Sequence, residues 1–233
     1  MADKVWSTGN LRFYLDYLFQ GVHLEGMRML DVGAGFGKYS LYAASRGAAE
    51  VLALEPQGPG SSPGSSSLFE EGITRLNLPN VMLLPERLED LDWPDRRFDV
   101  LLLHASINHL DEDATERLPD DEHARDVYLG LFSRLARLAA PGAKLIAVDA
   151  SPQNLFARFG KNPMTPTIEW EKHQPPEVWA ALLAEVGFTR PKIRWNSFNS
   201  LRSAGRLVLG NRFASYCLTS VFCLTMESPQ PDR

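Results

Sequence analysis

Met29-Leu30-Asp31-Val32-Gly33-Ala34-Gly35-Phe36-Gly37-Lys38 is an apolar strand that ends in an acid, followed by three alternate glycines and a segment of helical pattern. A chain turning sharply from strand into helix needs backbone angles that glycine adopts without steric cost. The missing Cβ atoms also let a ligand lie against the backbone. The helix that starts near Gly37 turns unpaired N–H groups toward the same space. About twenty residues on, Glu55 ends the apolar run Val51 to Leu54, where an acid is placed to accept hydrogen bonds from two ribose hydroxyls. The stretch therefore describes a nucleoside-binding crevice.

Three nucleotide readings compete for it. A dinucleotide fingerprint runs G-x-G-x-x-G, but Lys38 stands where its last glycine belongs. A phosphate loop needs G-x-x-x-x-G-K-[ST], and Val32 and Tyr39 break that pattern. In the third reading Asp31, which would repel a pyrophosphate, suits a cofactor carrying an amino-acid ammonium group and a sulfonium.

Here the sequence resembles the class I S-adenosylmethionine-dependent methyltransferases. Their first motif, acid-x-Gly-x-Gly-x-Gly, is matched by Asp31, Gly33, Gly35 and Gly37, and their second acid by Glu55. An acid-rich turn from Glu86 to Asp95 precedes Phe98-Asp99-Val100-Leu101-Leu102-Leu103. Ser106-Ile107-Asn108-His109-Leu110 and the late Pro141-Gly142 follow as in that family. The likeness spans roughly residues 28 to 149 by motif and the remainder by layout. It implies S-adenosyl-L-methionine as cofactor and a doubly wound, Rossmann-like α/β fold. The sheet would be seven-stranded and mostly parallel, with an antiparallel last strand and helices on both faces. It also implies an adenine grip at Arg87 and Leu88, with Glu86 as the alternative, and places His104 near the methionine part.

The alternation of strand and helix along the chain agrees with this fold class. The 233 residues suffice for a single domain, 1–233. The predicted helix Leu11 to Phe19 belongs to an N-terminal cap over 1–25. Further helices are expected from about Gly37 to Arg46, from Asp121 to Ala139 with Val127, Leu131, Leu135 and Leu138 on one face, and from Pro175 to Gly187. Strands are expected at Val81–Leu84, Asp99–Leu103, Ala143–Asp149, Ile193–Trp195 and Tyr216–Thr225. The Gly-, Ser- and Pro-rich stretch 58–67 reads as a long loop, or as a mobile lid over the adenosine. Cys217 and Cys223, placed on one strand, would stand ~20 Å apart at ~3.3 Å per residue, too far for a disulfide.

Two insertions, 151–174 and 197–214, fall on the acceptor side. The first carries Phe156 and Trp170 among prolines, material for a substrate lid or for a satellite cluster on the sheet. Methyl transfer is an in-line displacement, so it needs a base only where the acceptor must lose a proton. His109 and His173 follow the fourth and fifth strands and are the candidate bases. No spaced ligand set points to a metal.

Charge is uneven behind a net of −5. From Glu86 to Asp126 there are fourteen acids against five arginines, and from Val186 to Met226 six basic residues and no acid. Within the latter, 198–212 is amphipathic and basic. It suits a peripheral membrane surface or a phosphorylated substrate, or a solvated helix packed one side on its own domain. The overall acidity argues against nucleic acid. The start of the chain lacks a signal-like apolar stretch, which points to the cytoplasm. The expectation is an O-methyltransferase of a small biosynthetic acceptor such as a sugar, glycolipid or specialised metabolite. Non-methyl chemistry on the same cofactor and a non-catalytic cofactor-binding subunit are the alternatives.

Overall fold

The computed structural model describes residues 7–57, 64–91, 93, 95–157 and 168–230. Seven strands form one sheet: β1 (Arg28–Val32), β2 (Glu50–Leu54), β3 (Val81–Leu84), β4 (Phe98–His104), β5 (Ala139–Ala150), β6 (Thr189–Trp195) and β7 (Val221–Glu227). Their order is β3-β2-β1-β4-β5-β7-β6. The pairs among β1 to β5 are parallel, whereas β7 runs antiparallel to both β5 and β6. The chain winds outward from β1 to β3, then returns to place β4 on the other side of β1. That reversal opens a crevice beyond the carboxyl ends of β1 and β4, where ligands of such sheets bind.

The central strands are held by apolar side chains that alternate between two cores. On one face Leu30, Leu52, Leu101 and Leu145 pack with Phe132 and Trp179. On the other, Met29, Val51, Val100 and Ile146 pack with Tyr14, Phe69 and Cys223. A strand buried on both faces reads as a continuous apolar run, and β2 and β4 have that character.

Several helices start where a side chain accepts from one of their free N–H groups. The Ser7 hydroxyl accepts from Asn10 N–H at the head of α1 (Thr8–Leu18). After α2 (Lys38–Ser45) and α3 (Ser65–Leu76), Asp111 caps α4 (Glu112–Arg117) and Asp121 caps α5 (Glu122–Leu138). Pro176 opens α6 (Pro176–Glu185), and the short α7 (Arg202–Leu209) and α8 (Arg212–Ala214) lie between β6 and β7.

Three sequence expectations are corrected. Ser65–Ser67, read as loop, form the first turn of α3, with Ser65 buried; positions 58–63 of the proposed lid lie outside the described residues. The last strand begins at Val221 rather than Tyr216, because Ser215–Thr219 coil into a π-helical turn that Ser220 ends at φ +59°. Cys217 therefore sits in that turn and Cys223 in β7, both as free thiols. Among the described residues no helix is long and apolar enough to cross a membrane.

Candidate active site

The glycine loop is tied at both ends. Gly33 and Ala34 N–H both donate to Leu54 O at 2.9 Å, and the Ser106 hydroxyl donates to Val32 O at 2.5 Å. Gly33, Gly35 and Gly37 take φ of +73°, +55° and +72°, a region that side-chained residues enter only under strain. A Cβ on Gly33 would lie 2.5 Å from Ser106 Cβ, and one on Gly37 would lie 2.1 Å from the Phe69 ring. A Cβ on Gly35 would meet nothing within 4 Å. The outer two glycines thus let β4 and α3 approach, while the middle one borders open space.

Glu55 faces that space. Its Oε2 accepts from Gly35 N–H at 2.7 Å and its Oε1 from the Ser65 hydroxyl at 3.3 Å. A carboxylate offers about four acceptor positions, so capacity remains for a vicinal diol. Asp31 is fully buried; its Oδ2 accepts from the Ser40 hydroxyl at 2.6 Å and its Oδ1 has no partner. Burial pushes its pKa up to about 7, opposed by the Ser40 hydrogen bond and assisted by Glu55. An orphaned buried carboxylate oxygen suits a cationic partner. The diol acceptor at Glu55, the uncovered Gly35 and the orphaned Asp31 oxygen together fit S-adenosylmethionine.

His104 ends β4 beneath α1. Its Nε2 lies 2.5 Å from the Tyr14 hydroxyl and 2.9 Å from that of Tyr39, and its ring stacks on Tyr39 at 4.2 Å. Burial lowers its pKa to about 3, so the ring is neutral. The same burial pushes both tyrosines above their ordinary range. The cluster forms an uncharged polar wall where the sequence reading set the methionine part. On the adenine side, Leu88 is buried at the first position of a 3-10 turn, Leu88–Asp90. Glu86 is half-buried beside it, and Arg87 is turned to the surface, where it pairs with Glu89.

The two histidines separate clearly. His109 is exposed, and its Nδ1 meets Glu112 at 2.7 Å. Lys172 bridges Glu112 and Glu169, joining the start of α4 to the segment after β5. His173 is only 14 % exposed, and its Nδ1 lies 3.0 Å from Asp149 Oδ1. Asp149 is buried near the end of β5; its Oδ1 also accepts from Ala150 N–H at 2.7 Å, while its Oδ2 has no partner. The Trp170 ring lies 6.3 Å from the His173 ring, and Phe156 is half-buried after β5. Among the described residues no group of three or more His, Cys, Asp or Glu side chains is placed to hold a metal.

The structure thus gathers Asp31, Gly33, Gly35, Gly37, Glu55 and His104 at one edge of the sheet and leaves Arg87 and His109 at the rim. Asp149, Ser40, Tyr14 and Tyr39 are additions to the sequence reading. Asp149 carried the same signal as Asp31, an acid near the end of an apolar strand. Tyr14 and Tyr39 carried none, since tertiary contact alone brings them to His104.

A family described as "Methyltransferase domain" matches residues 29–121, the span from β1 to the cap of α5. A ubiquinone biosynthesis O-methyltransferase from Hahella chejuensis is 27% identical over 80% of this chain and 73% of its own length. A tRNA U34 carboxymethyltransferase from Syntrophotalea carbinolica is 30% identical over 53% of this chain, a match that spans only 32% of that longer protein. A solved S-adenosylmethionine-dependent methyltransferase from Listeria monocytogenes superposes with a TM-score of 0.65. That superposition covers 95% of this chain and 97% of the other at 13% identity, which establishes likeness of fold.

Proposed function

We propose that this chain, a class I S-adenosylmethionine-dependent methyltransferase, methylates a hydroxyl oxygen of a small biosynthetic acceptor, with His173 as the proton acceptor. The cofactor supplies an electrophilic methyl group on a sulfonium. Asp31 would hold its ammonium group, Glu55 its ribose hydroxyls, and the edge at Glu86 to Leu88 its adenine.

The observation that carries the oxygen reading is the His173–Asp149 pair. A hydroxyl is a weak nucleophile until it loses its proton, and an imidazole is the side chain suited to take it near neutrality. With Nδ1–H donating to Asp149, the lone pair falls on Nε2, which has no partner among the described residues. Asp149 is buried and one of its oxygens is unpartnered, so a positive charge developing on the ring would meet a waiting counter-charge. His104, whose Nε2 is engaged by two tyrosine hydroxyls and whose pKa burial lowers to about 3, is too weak a base for that step. Trp170 and Phe156 are the apolar walls assigned to the acceptor. The O-methyltransferase relative from Hahella chejuensis supports oxygen as the acceptor atom.

A second reading, transfer of a group other than methyl, draws on the carboxymethyltransferase relative, whose group would need a carboxylated donor and whose match falls on part of the chain only. Product analysis decides between them. Incubation with S-adenosylmethionine and a panel of hydroxylated acceptors should yield S-adenosylhomocysteine and methylated acceptor in equal amounts. Methylthioadenosine, or S-adenosylhomocysteine without a methylated product, would overturn the proposal.

A further inference from the structure

Between β6 and β7 the chain displays apolar side chains that the fold leaves uncovered. Leu207 is 88% exposed, Phe213 79% and Val208 67%, and Leu201, just before α7, is 49% exposed. On α7, Ser203, Ala204, Leu207 and Val208 form the exposed face, since positions three and four apart share one side of a helix. The opposite side is fastened to α1. The Arg206 guanidinium lies 3.9 Å from the Phe13 ring centre and 3.7 Å from that of Tyr17, and its Nη2 reaches Phe13 O at 3.5 Å. Single exposed apolar residues are ordinary, but a group of them on one short segment marks a contact surface.

The charge carried by the segment itself has one sign. Residues 187–226 contain no acid. Arg202 is exposed at the base of α7 and makes no ion pair among the described residues. Arg212 flanks Phe213; it pairs with Glu177 and donates to Gln153. An apolar strip edged by arginines matches an anionic lipid surface, because the side chains enter the acyl boundary while the guanidinium groups stay among the headgroups. The surface also lies beside the crevice: α7 packs on α1, whose Tyr14 contacts His104, and Arg212 reaches Gln153 just past the end of β5.

We infer that α7 and α8 dock this protein on an anionic membrane surface through Leu207, Val208 and Phe213, with Arg202 and Arg212 contacting lipid headgroups. Docked so, the acceptor side of the sheet faces the leaflet, and an amphiphilic hydroxyl acceptor can be taken from it. That last step rests on the methyltransferase reading, whereas the docking does not.

The test is therefore made without cofactor or acceptor. The purified chain is sedimented with phosphatidylcholine vesicles, with and without added phosphatidylglycerol. It should bind the phosphatidylglycerol vesicles, and salt should weaken the binding. The double variant Leu207→Ser/Phe213→Ser should bind them at least ~tenfold more weakly, while keeping its circular dichroism and S-adenosylmethionine affinity. Failure to sediment with either vesicle, or equal binding by the double variant, overturns the inference. Equal binding to phosphatidylcholine alone overturns the anionic assignment. A wild-type dimer in sedimentation velocity that the double variant dissolves would show that a second copy covers the face instead.

Discussion

His173 engages Asp149 through Nδ1, which directs its basic lone pair to Nε2. Replacing it by alanine should lower kcat by ~10²- to 10⁴-fold, the usual contribution of a positioned base. The cofactor Kd should hardly change, because Asp31 and Glu55 are untouched. Asp149→Asn should also lower kcat. The amide can donate to Nδ1, which forces the proton onto Nε2 and leaves no lone pair there for the acceptor. A purely structural role for the pair would produce similar losses, so acceptor acidity provides the separating measurement. Phenols that arrive already ionised need no base and should recover activity in His173→Ala. Equal impairment across phenols of differing acidity would remove His173 from the chemistry. His109 shows why residue type alone misleads: like His173 it follows a strand and meets a carboxylate, yet solvent reaches it and its partner Glu112 divides between it and Lys172.

At the scale of the element, the strand–loop–helix unit from β1 to α2 separates two roles that look identical in sequence. Gly37→Ala would push a Cβ into the fully buried Phe69 ring and hold alanine at φ +72°. Overpacking and left-handed backbone cost about 1–3 and 1–2 kcal/mol, so urea denaturation should show a loss of ~2–5 kcal/mol. Gly35→Ala meets no neighbour and should cost only the backbone share, about 1–2 kcal/mol, yet its methyl group would stand in the crevice beside Glu55. Calorimetry should then find cofactor binding weakened in a well-folded variant. Intact binding in Gly35→Ala would move the cofactor away from this loop. This unit was legible in sequence because its demands are local: an apolar run, glycines at fixed spacing, an acid at each strand end. The start of α3 was not. Ser65–Ser67 have loop composition, and they become helical because Phe69 packs under Gly37 and Ser65 turns inward to Glu55. Tyr216–Thr219 failed in the same way, since apolar alternation continues through a segment that a π-turn removes from the sheet.

For the molecule as a whole, the carboxylate proposed to hold the cofactor, that of Asp31, is buried in the middle of the sheet. Asp31 lies on β1, paired to β2 on one side and β4 on the other, with the two cores above and below. The alternating apolar runs made that sheet legible. The cost of the acid at its centre was not, because it depends on the burial that the completed fold imposes. Raising a carboxyl from 3.8 to about 7 corresponds to stability on the order of 4 kcal/mol withheld from the ionised form. The sign follows from proton counting. Between the two values the folded chain keeps a proton that the unfolded chain has released, so this contribution is complete below about pH 4 and is lost as pH rises through about 7. Asp31→Asn carries no such charge and can still accept from Ser40. The stability difference between asparagine variant and wild type, measured by denaturant unfolding without cofactor, should therefore grow in the variant's favour from about pH 4 to 7 and level off above. S-adenosylmethionine should reverse the order near neutrality, because only the carboxylate can pair with its ammonium group. Binding should also release a proton where Asp31 starts protonated, visible as buffer-dependent heats in wild type and absent from the variant. A pH-independent difference between the two proteins would mean that Asp31 is ionised at no cost, and the orphaned oxygen would lose its significance as a cation site.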